Sequence, residues 1–127
     1  MSNAVLDASA LLAVLNEERG AERVERYIPG AIINAVNLSE VIGKLAESGM
    51  PEKEIHEVVA ILALQVIPFD TILSFKAGCL RPATRDMGLS LGDRACLATG
   101  ILMNLPVITS DKIWRDTGLP VTVILIR

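Results

Sequence analysis

Aromatic side chains are scarce in this 127-residue chain: one Trp, one Tyr and two Phe, 3% in all. Its core must therefore be packed from Leu, Ile, Val and Ala, in keeping with a hydrophobic content of 51%. Histidine occurs once, at His56, mid-helix among Glu52, Glu57 and Val59. One His argues against a His-built zinc site or a histidine general base, and leaves Ser9 and Ser39 without a triad partner. The two cysteines, Cys79 and Cys96, share no metal-ligand spacing and sit in apolar helical runs. They read as reduced core thiols of a cytoplasmic protein. The glycines are scattered, so there is no phosphate-cradling loop. No apolar run is long enough to cross a membrane, and no basic leader precedes a cleavage site. A net charge of −3 excludes neither an enzyme nor a modest RNA binder, but argues against a large basic surface that grips duplex nucleic acid by charge alone.

What the chain does have is alternation. Short apolar runs at Ala4–Leu6, Ala31–Ala35, Gln65–Phe69, Pro106–Thr109 and Val121–Ile126 read as strands. Between them lie helical patterns over Ala8–Glu18, Ala21–Tyr27, Asn37–Ser48, Glu52–Leu64, Thr71–Asp86 and Leu91–Met103. Asp7 or Ser9 can cap the first helix, Asn37 the third, and Pro51 suits a first helical position. Pro82 should bend or divide the fifth. Asn37 with Glu40, and Ser90 with Asp93, have capping-box spacing. Five strands separated by helices imply a mostly parallel sheet covered on both faces, within one domain spanning residues 1–127. Mean hydropathy is high, +0.47. Apolar helices over Ala8–Tyr27 and Val36–Leu64 exceed what a monomer of this size needs to bury, so they are expected to form contacts with a second copy and with a partner.

Fifteen residues are acidic, and most lie on helices among polar neighbours, where solvation explains them. Four differ: Asp7 in AVLDASALL, Glu40 in NLSEVIGKL, Asp93 in LSLGDRACLA and Asp111 in PVITSDKIW. They end apolar strands or begin helices, and a parallel sheet gathers such positions at one crevice. Each alone is explained by capping. Four caps, however, have no reason to face one another. Carboxylates brought together disfavour ionisation, raising the pKa of some, unless a cation offsets the charge. Carboxylate and water oxygens suit Mg²⁺ or Mn²⁺, and phosphodiester hydrolysis is the reaction such a site performs.

With their surroundings these four positions resemble the PIN-domain family, in particular the VapC toxins of bacterial and archaeal toxin–antitoxin pairs. The similarity lies in VLDASALLAVLNEE, INAVNLSEV, GLSLGDRACLATGILMNLPVITSDKIW and the closing GLPVTVILIR. The resemblance implies a three-layer α/β/α fold around a five-stranded parallel sheet, a homodimer, and a metal-dependent endoribonuclease blocked by a small antitoxin. It maps Asp7, Glu40, Asp93 and Asp111 onto the family's acids, Ser9 onto a hydroxyl after the first, and Ser110 or Asp116 onto an auxiliary position. Around Pro82, Arg81 and Thr84 fall where related proteins often carry a basic and a hydroxyl residue.

The expected mechanism has Asp7, Asp93 and Asp111 holding Mg²⁺ or Mn²⁺, directly or through water. Glu40 completes the shell or orients the attacking water. In-line attack on RNA would leave a 5′-phosphate and a 3′-hydroxyl, with Arg81, Arg85, Arg94, Lys112 and Arg115 as candidate phosphate contacts. The rivals are a non-catalytic module retaining the acids, and a metal-dependent nuclease or phosphatase for another substrate. A receiver domain is disfavoured because no lysine stands near the end of the last strand.

Overall fold

Three strands, β1 (Ala4–Leu6), β2 (Ala31–Asn34) and β4 (Val107–Thr109), are buried on both faces. That burial is why they read as unbroken apolar runs instead of alternating ones. In the computed structural model, which describes residues 2–127, they form the centre of a sheet ordered β3-β2-β1-β4-β5. Strands β3 (Gln65–Ile67) and β5 (Val123–Leu125) are its more exposed edges. Every pairing is parallel, with Leu6 opposite Ile33 on one side and Ile108 on the other.

The helices are α1 (Ala8–Leu15), α2 (Ala21–Glu25), α3 (Ala35–Glu47), α4 (Glu52–Leu62), α5 (Thr71–Cys79), α6 (Arg81–Thr84) and α7 (Leu91–Met103). Short 3₁₀ turns cover Arg85–Met87 and Lys112–Asp116. Alternate strand residues feed two cores. Leu6, Ile33 and Ile108 pack with Leu11, Val24, Val41 and Ile55 of α1 to α4. Val5, Ile32 and Val107 pack with Leu73, Leu97 and Trp114 on the α5–α7 side. This is the expected three-layer α/β/α architecture. The chain lays β1, β2 and β3 outward in one direction, then returns to place β4 on the other flank of β1. That reversal opens a crevice at the carboxyl ends of β1 and β4, where ligands of such sheets bind. Among the described residues no helix is long and apolar enough to cross a membrane.

Several local expectations change. The first helix stops at Leu15, not Glu18: Glu17 takes a left-handed φ of 53°, and the Glu18 amide donates to the Ala13 carbonyl. The turn brings Gly20, at φ 95°, so close to Ile126 that a Cβ there would collide with the Ile126 carbonyl. The third helix begins at Ala35 with Asn34 as its cap, not at Asn37. Asn34 Oδ1 accepts from the Val36 amide, and its Nδ2 donates to Thr99 Oγ1 of α7, so the cap is selected by a contact 65 positions away. Glu40 therefore lies in the second turn and is no capping-box partner. Pro51 precedes the first turn of α4 instead of opening it. Pro82 does divide the fifth helical stretch, into α5 and α6. Cys79 is exposed on α5 and is not a core thiol, whereas Cys96 is buried.

Candidate active site

Asp7 is the first residue beyond β1 and the N-cap of α1. Its Oδ1 accepts from the Ala10 amide (2.8 Å) and from Ser9 Oγ (2.7 Å). Thr109 Oγ1, at the end of β4, donates to Oδ2 (2.5 Å). The carboxyl group is buried, and its pKa rises from 3.8 to about 6. Burial is the main cause. The hydrogen bonds from Thr109, Ser9 and Ala10 oppose it, and the charge on Asp93 adds the smallest contribution. The like-charge repulsion expected to dominate is thus secondary to desolvation.

Two hydroxyls join the β1 and β4 ends. Ser9 Oγ, besides donating to Asp7, accepts from the Ser110 amide (3.0 Å). Thr109 Oγ1 accepts from the Asp111 amide (3.0 Å) while donating to Asp7. Asp111 is exposed, and its Oδ1 accepts from the Ile113 amide, capping the 3₁₀ turn. Asp93 completes the capping box expected from its spacing: its Oδ2 accepts from the Ser90 amide, and Ser90 Oγ accepts from the Asp93 amide. Capping and crevice-lining coexist in the same side chains.

Glu40 reaches the same place from α3. Asn37 Nδ2 donates to Glu40 Oε1 (3.1 Å) and to the Gly92 carbonyl (2.9 Å), fastening α3 to the start of α7. The Glu40 carboxylate fills the space that a side chain on residue 92 would occupy, and even a Cβ there would collide with Oε1. Glycine at 92 is what admits it. Asp7, Glu40, Asp93 and Asp111 together line one open crevice of about 460 Å³, with Ser9, Asn37 and Ser110. Their fields converge below it: burial, then the charges of Asp7, Asp93 and Glu40, push the Cys96 thiol well above its usual pKa.

The donor set is hard oxygen throughout, as Mg²⁺ and Mn²⁺ require. Buried Asn37 Oδ1 has no hydrogen-bond partner among the described residues, an acceptor suited to the water shell of a bound ion. Among those residues, though, no three His, Cys, Asp or Glu side chains form a ready-made ligand group. The residues fit an ion that keeps several waters better than one enclosed by protein oxygens.

Other expected positions separate from the crevice. Asp116 is exposed and does not line it. Arg94, expected as a phosphate contact, is buried instead and donates to the Ala77 carbonyl of α5 (3.0 Å). One residue on from Asp93, it is turned by about 100° around α7, toward α5. Thr84 is also buried and donates to the Leu80 carbonyl. Arg81 and Arg85 are exposed away from the crevice, and Lys112 and Arg115 line a neighbouring concavity. Sequence reasoning missed Thr109 and Gly92, and read Asn37 only as a helix cap spaced to Glu40, without its bond to Gly92. The signal for Asn37 was a polar residue where α3 turns inward, but its partner lies 55 positions away.

Comparison with known proteins agrees with this geometry. The family model described as PIN domain matches residues 4–119. A comparison with curated proteins finds no match. Among solved structures, a chain of a toxin–antitoxin complex from Klebsiella pneumoniae superposes with a TM-score of 0.78 at 22% identity, covering 98% of each chain. VapBC2 from Rickettsia felis, bound to a DNA fragment from its promoter, gives 0.76 at 17% identity, covering 96% of this chain and 97% of that one. DNA-bound VapBC from Salmonella typhimurium gives 0.75 at 20% identity over 100% of both. At these identities the likeness is one of fold.

Proposed function

The chain belongs to the PIN-domain family, and from that premise we propose that it is a divalent-metal-dependent endoribonuclease, the toxin of a toxin–antitoxin pair. The observation that carries this reading is the convergence of Asp7, Glu40, Asp93 and Asp111, from four separate segments, on one open crevice. Mg²⁺ or Mn²⁺, when bound, would offset the gathered negative charge and stabilise charge developing on the phosphate. Asp7, Asp93 and Asp111 would hold it. Asp93 and Asp111 each spend one oxygen on a helix cap, at Oδ2 and Oδ1 respectively, leaving the other without a protein donor among the described residues. Ser9 and Thr109 orient the Asp7 carboxylate, and Ser110 supplies an auxiliary hydroxyl at the rim. Glu40, exposed and held by Asn37, orients the attacking water and receives its proton. Attack by water in line with the leaving 3′-oxygen gives a 5′-phosphate and a 3′-hydroxyl. The test is cleavage of RNA in Mn²⁺ and in EDTA with analysis of the ends. Cleavage that persists in EDTA, or leaves 2′,3′-cyclic phosphates, refutes the reading.

The whole of residues 1–127 would act as one domain, with a small antitoxin as its inhibitor and a second copy as its partner. The known complexes of like fold support the antitoxin. So does an apolar groove of about 400 Å³ between α3 and α4, lined by Leu38, Ile42, Met50, Ile55 and Val59. Exposed Ile72 and Phe75 on α5 add apolar surface beyond the helices expected from sequence. Sedimentation at micromolar concentration should show a dimer, and a clean monomer would reject self-association.

A further inference from the structure

Beside the acidic crevice, on the same sheet edge, lies a second concavity of about 490 Å³ with the opposite charge. Arg19, Arg23, Lys112, Arg115 and Arg127 line it, with Glu22 as the one acid. These are five of the chain's twelve Lys and Arg residues, in a molecule whose net charge is −3. Composition does not produce such a concentration, and like charges held together cost free energy unless an anion is there to meet them.

The scaffold beneath these cations is built. The concavity sits at the carboxyl end of β5, where Gly20 rests against Ile126 and ties the α1–α2 turn to the sheet. Arg23 Nη1 donates to the Leu125 carbonyl (3.1 Å), and Arg127 Nη1 to the Arg19 carbonyl (2.8 Å). Arg127 also pairs with Glu18 at 3.3 Å. Arg19, Lys112 and Arg115 are exposed and have no ion-pair partner among the described residues. Lys112 and Arg115 stand three apart on a 3₁₀ turn, the spacing that stacks side chains on one side.

Placement relative to the acids supplies the direction. Asp111 lines the acidic crevice, and Lys112, the next residue, lines the basic one. Asp7 and Asp111 stand just beyond β1 and β4, and the basic concavity reaches from the turn after β4 to the end of β5, the next strand along, one strand spacing of about 5 Å further out. We propose that this concavity is the phosphate track of the substrate: single-stranded RNA crosses the sheet edge with its cleaved phosphate at the acids and the adjoining phosphates over Arg19, Lys112 and Arg115. The proposal rests on the nuclease reading and adds to it the path that the strand takes. Binding here is by backbone charge, so it carries affinity and register without reading bases. It also explains how a net-acidic protein with an acidic catalytic crevice attracts a polyanion.

The test compares two triple variants carrying the same change in charge. One is Arg19→Gln/Lys112→Gln/Arg115→Gln. The control is Lys44→Gln/Lys53→Gln/Lys76→Gln, at positions lining neither concavity. Cleavage of a short labelled single-stranded RNA in Mn²⁺ is measured between about 50 and 200 mM salt, the range in which phosphate interactions are screened. For the first variant KM should rise at least about tenfold at low salt with kcat little changed. Its plot of log kcat/KM against log salt should be shallower by about 2, because each phosphate of a single strand that goes unneutralised removes ~0.7 from the slope. The control should follow the native protein. Equal effects in both variants, or an unchanged KM and salt slope in the first, overturn the track while leaving the nuclease reading intact. If the native protein cleaves no RNA in any divalent ion, that reading fails. The track is then judged by fluorescence anisotropy on the same RNA, and binding that the first variant does not weaken more than the control overturns it.

Discussion

Replacing Asp7 with Asn should abolish RNA cleavage and make the metal-free protein more stable at neutral pH. The folded-state pKa of about 6 stands roughly two units above the ordinary 3.8. At about 1.4 kcal/mol per unit, keeping this buried group ionised at pH 7 costs the fold about 3 kcal/mol. Asparagine removes that cost. It keeps an Oδ1 to accept from Ser9 and Ala10, but places an amide donor where Thr109 Oγ1 now donates. Thr109 already accepts from the Asp111 amide, so its hydroxyl hydrogen loses its partner, at about 1 kcal/mol. The net gain is about 2 kcal/mol, several degrees in Tm for a chain of this size. The sign follows from linkage. A pKa raised on folding gives stability that is full below 3.8 and lost as pH rises through about 6. The advantage of the variant should therefore be largest above pH 6 and vanish toward pH 4. Urea or thermal unfolding of both proteins in EDTA across this range measures it. Parallel stability curves, or a variant less stable than the native protein at pH 7, would refute the assignment of burial as the dominant cost.

Three further outcomes follow from the same geometry. Millimolar Mn²⁺ should raise the Tm of the native protein more at pH 7.5 than at pH 5 and hardly move Asp7→Asn, since the ion selects the ionised folded site; equal shifts in both proteins would contradict this. Gly92→Ala should fold normally, because Ala is favoured in a helix by about 1 kcal/mol, yet lose at least about tenfold in kcat as its methyl displaces the Glu40 carboxylate. Combined with Glu40→Gln it should cost little more than either change alone, as kinetics of the double variant will show. Asn34→Ala should cost about 2–3 kcal/mol in urea unfolding, losing both the cap of α3 and the buried bond to Thr99.

The acids were legible because their signal is local. Each follows or opens an apolar segment, and parallel topology brings those ends to one edge. The Ser90–Asp93 box and the break at Pro82 were legible for the same reason, since both depend on residues within a turn of one another. What escaped was decided at a distance. Asn34 outcompeted Asn37 as the cap of α3 because its amide also reaches α7. Arg94 is surrounded by the same letters as a surface arginine, and only the packing of α5 against α7 shows that its guanidinium meets the Ala77 carbonyl. The depth of Asp7, which makes desolvation outweigh repulsion, depends on the strands either side of β1. Thr109 reads as an ordinary strand residue until β4 is laid beside β1.

That last pairing has a consequence for synthesis. The hydroxyl that orients Asp7 lies 102 positions after it, and Asp111 comes later still. Chains leave the ribosome amino end first. While β1, β2 and β3 can already associate on the growing chain, the flank of β1 that receives β4 is open, and the crevice has only part of its wall. A nascent chain therefore lacks the complete acidic crevice until Thr109 and Asp111 have emerged. The order of strands thus sets a delay between the emergence of the first acid and the docking of the last.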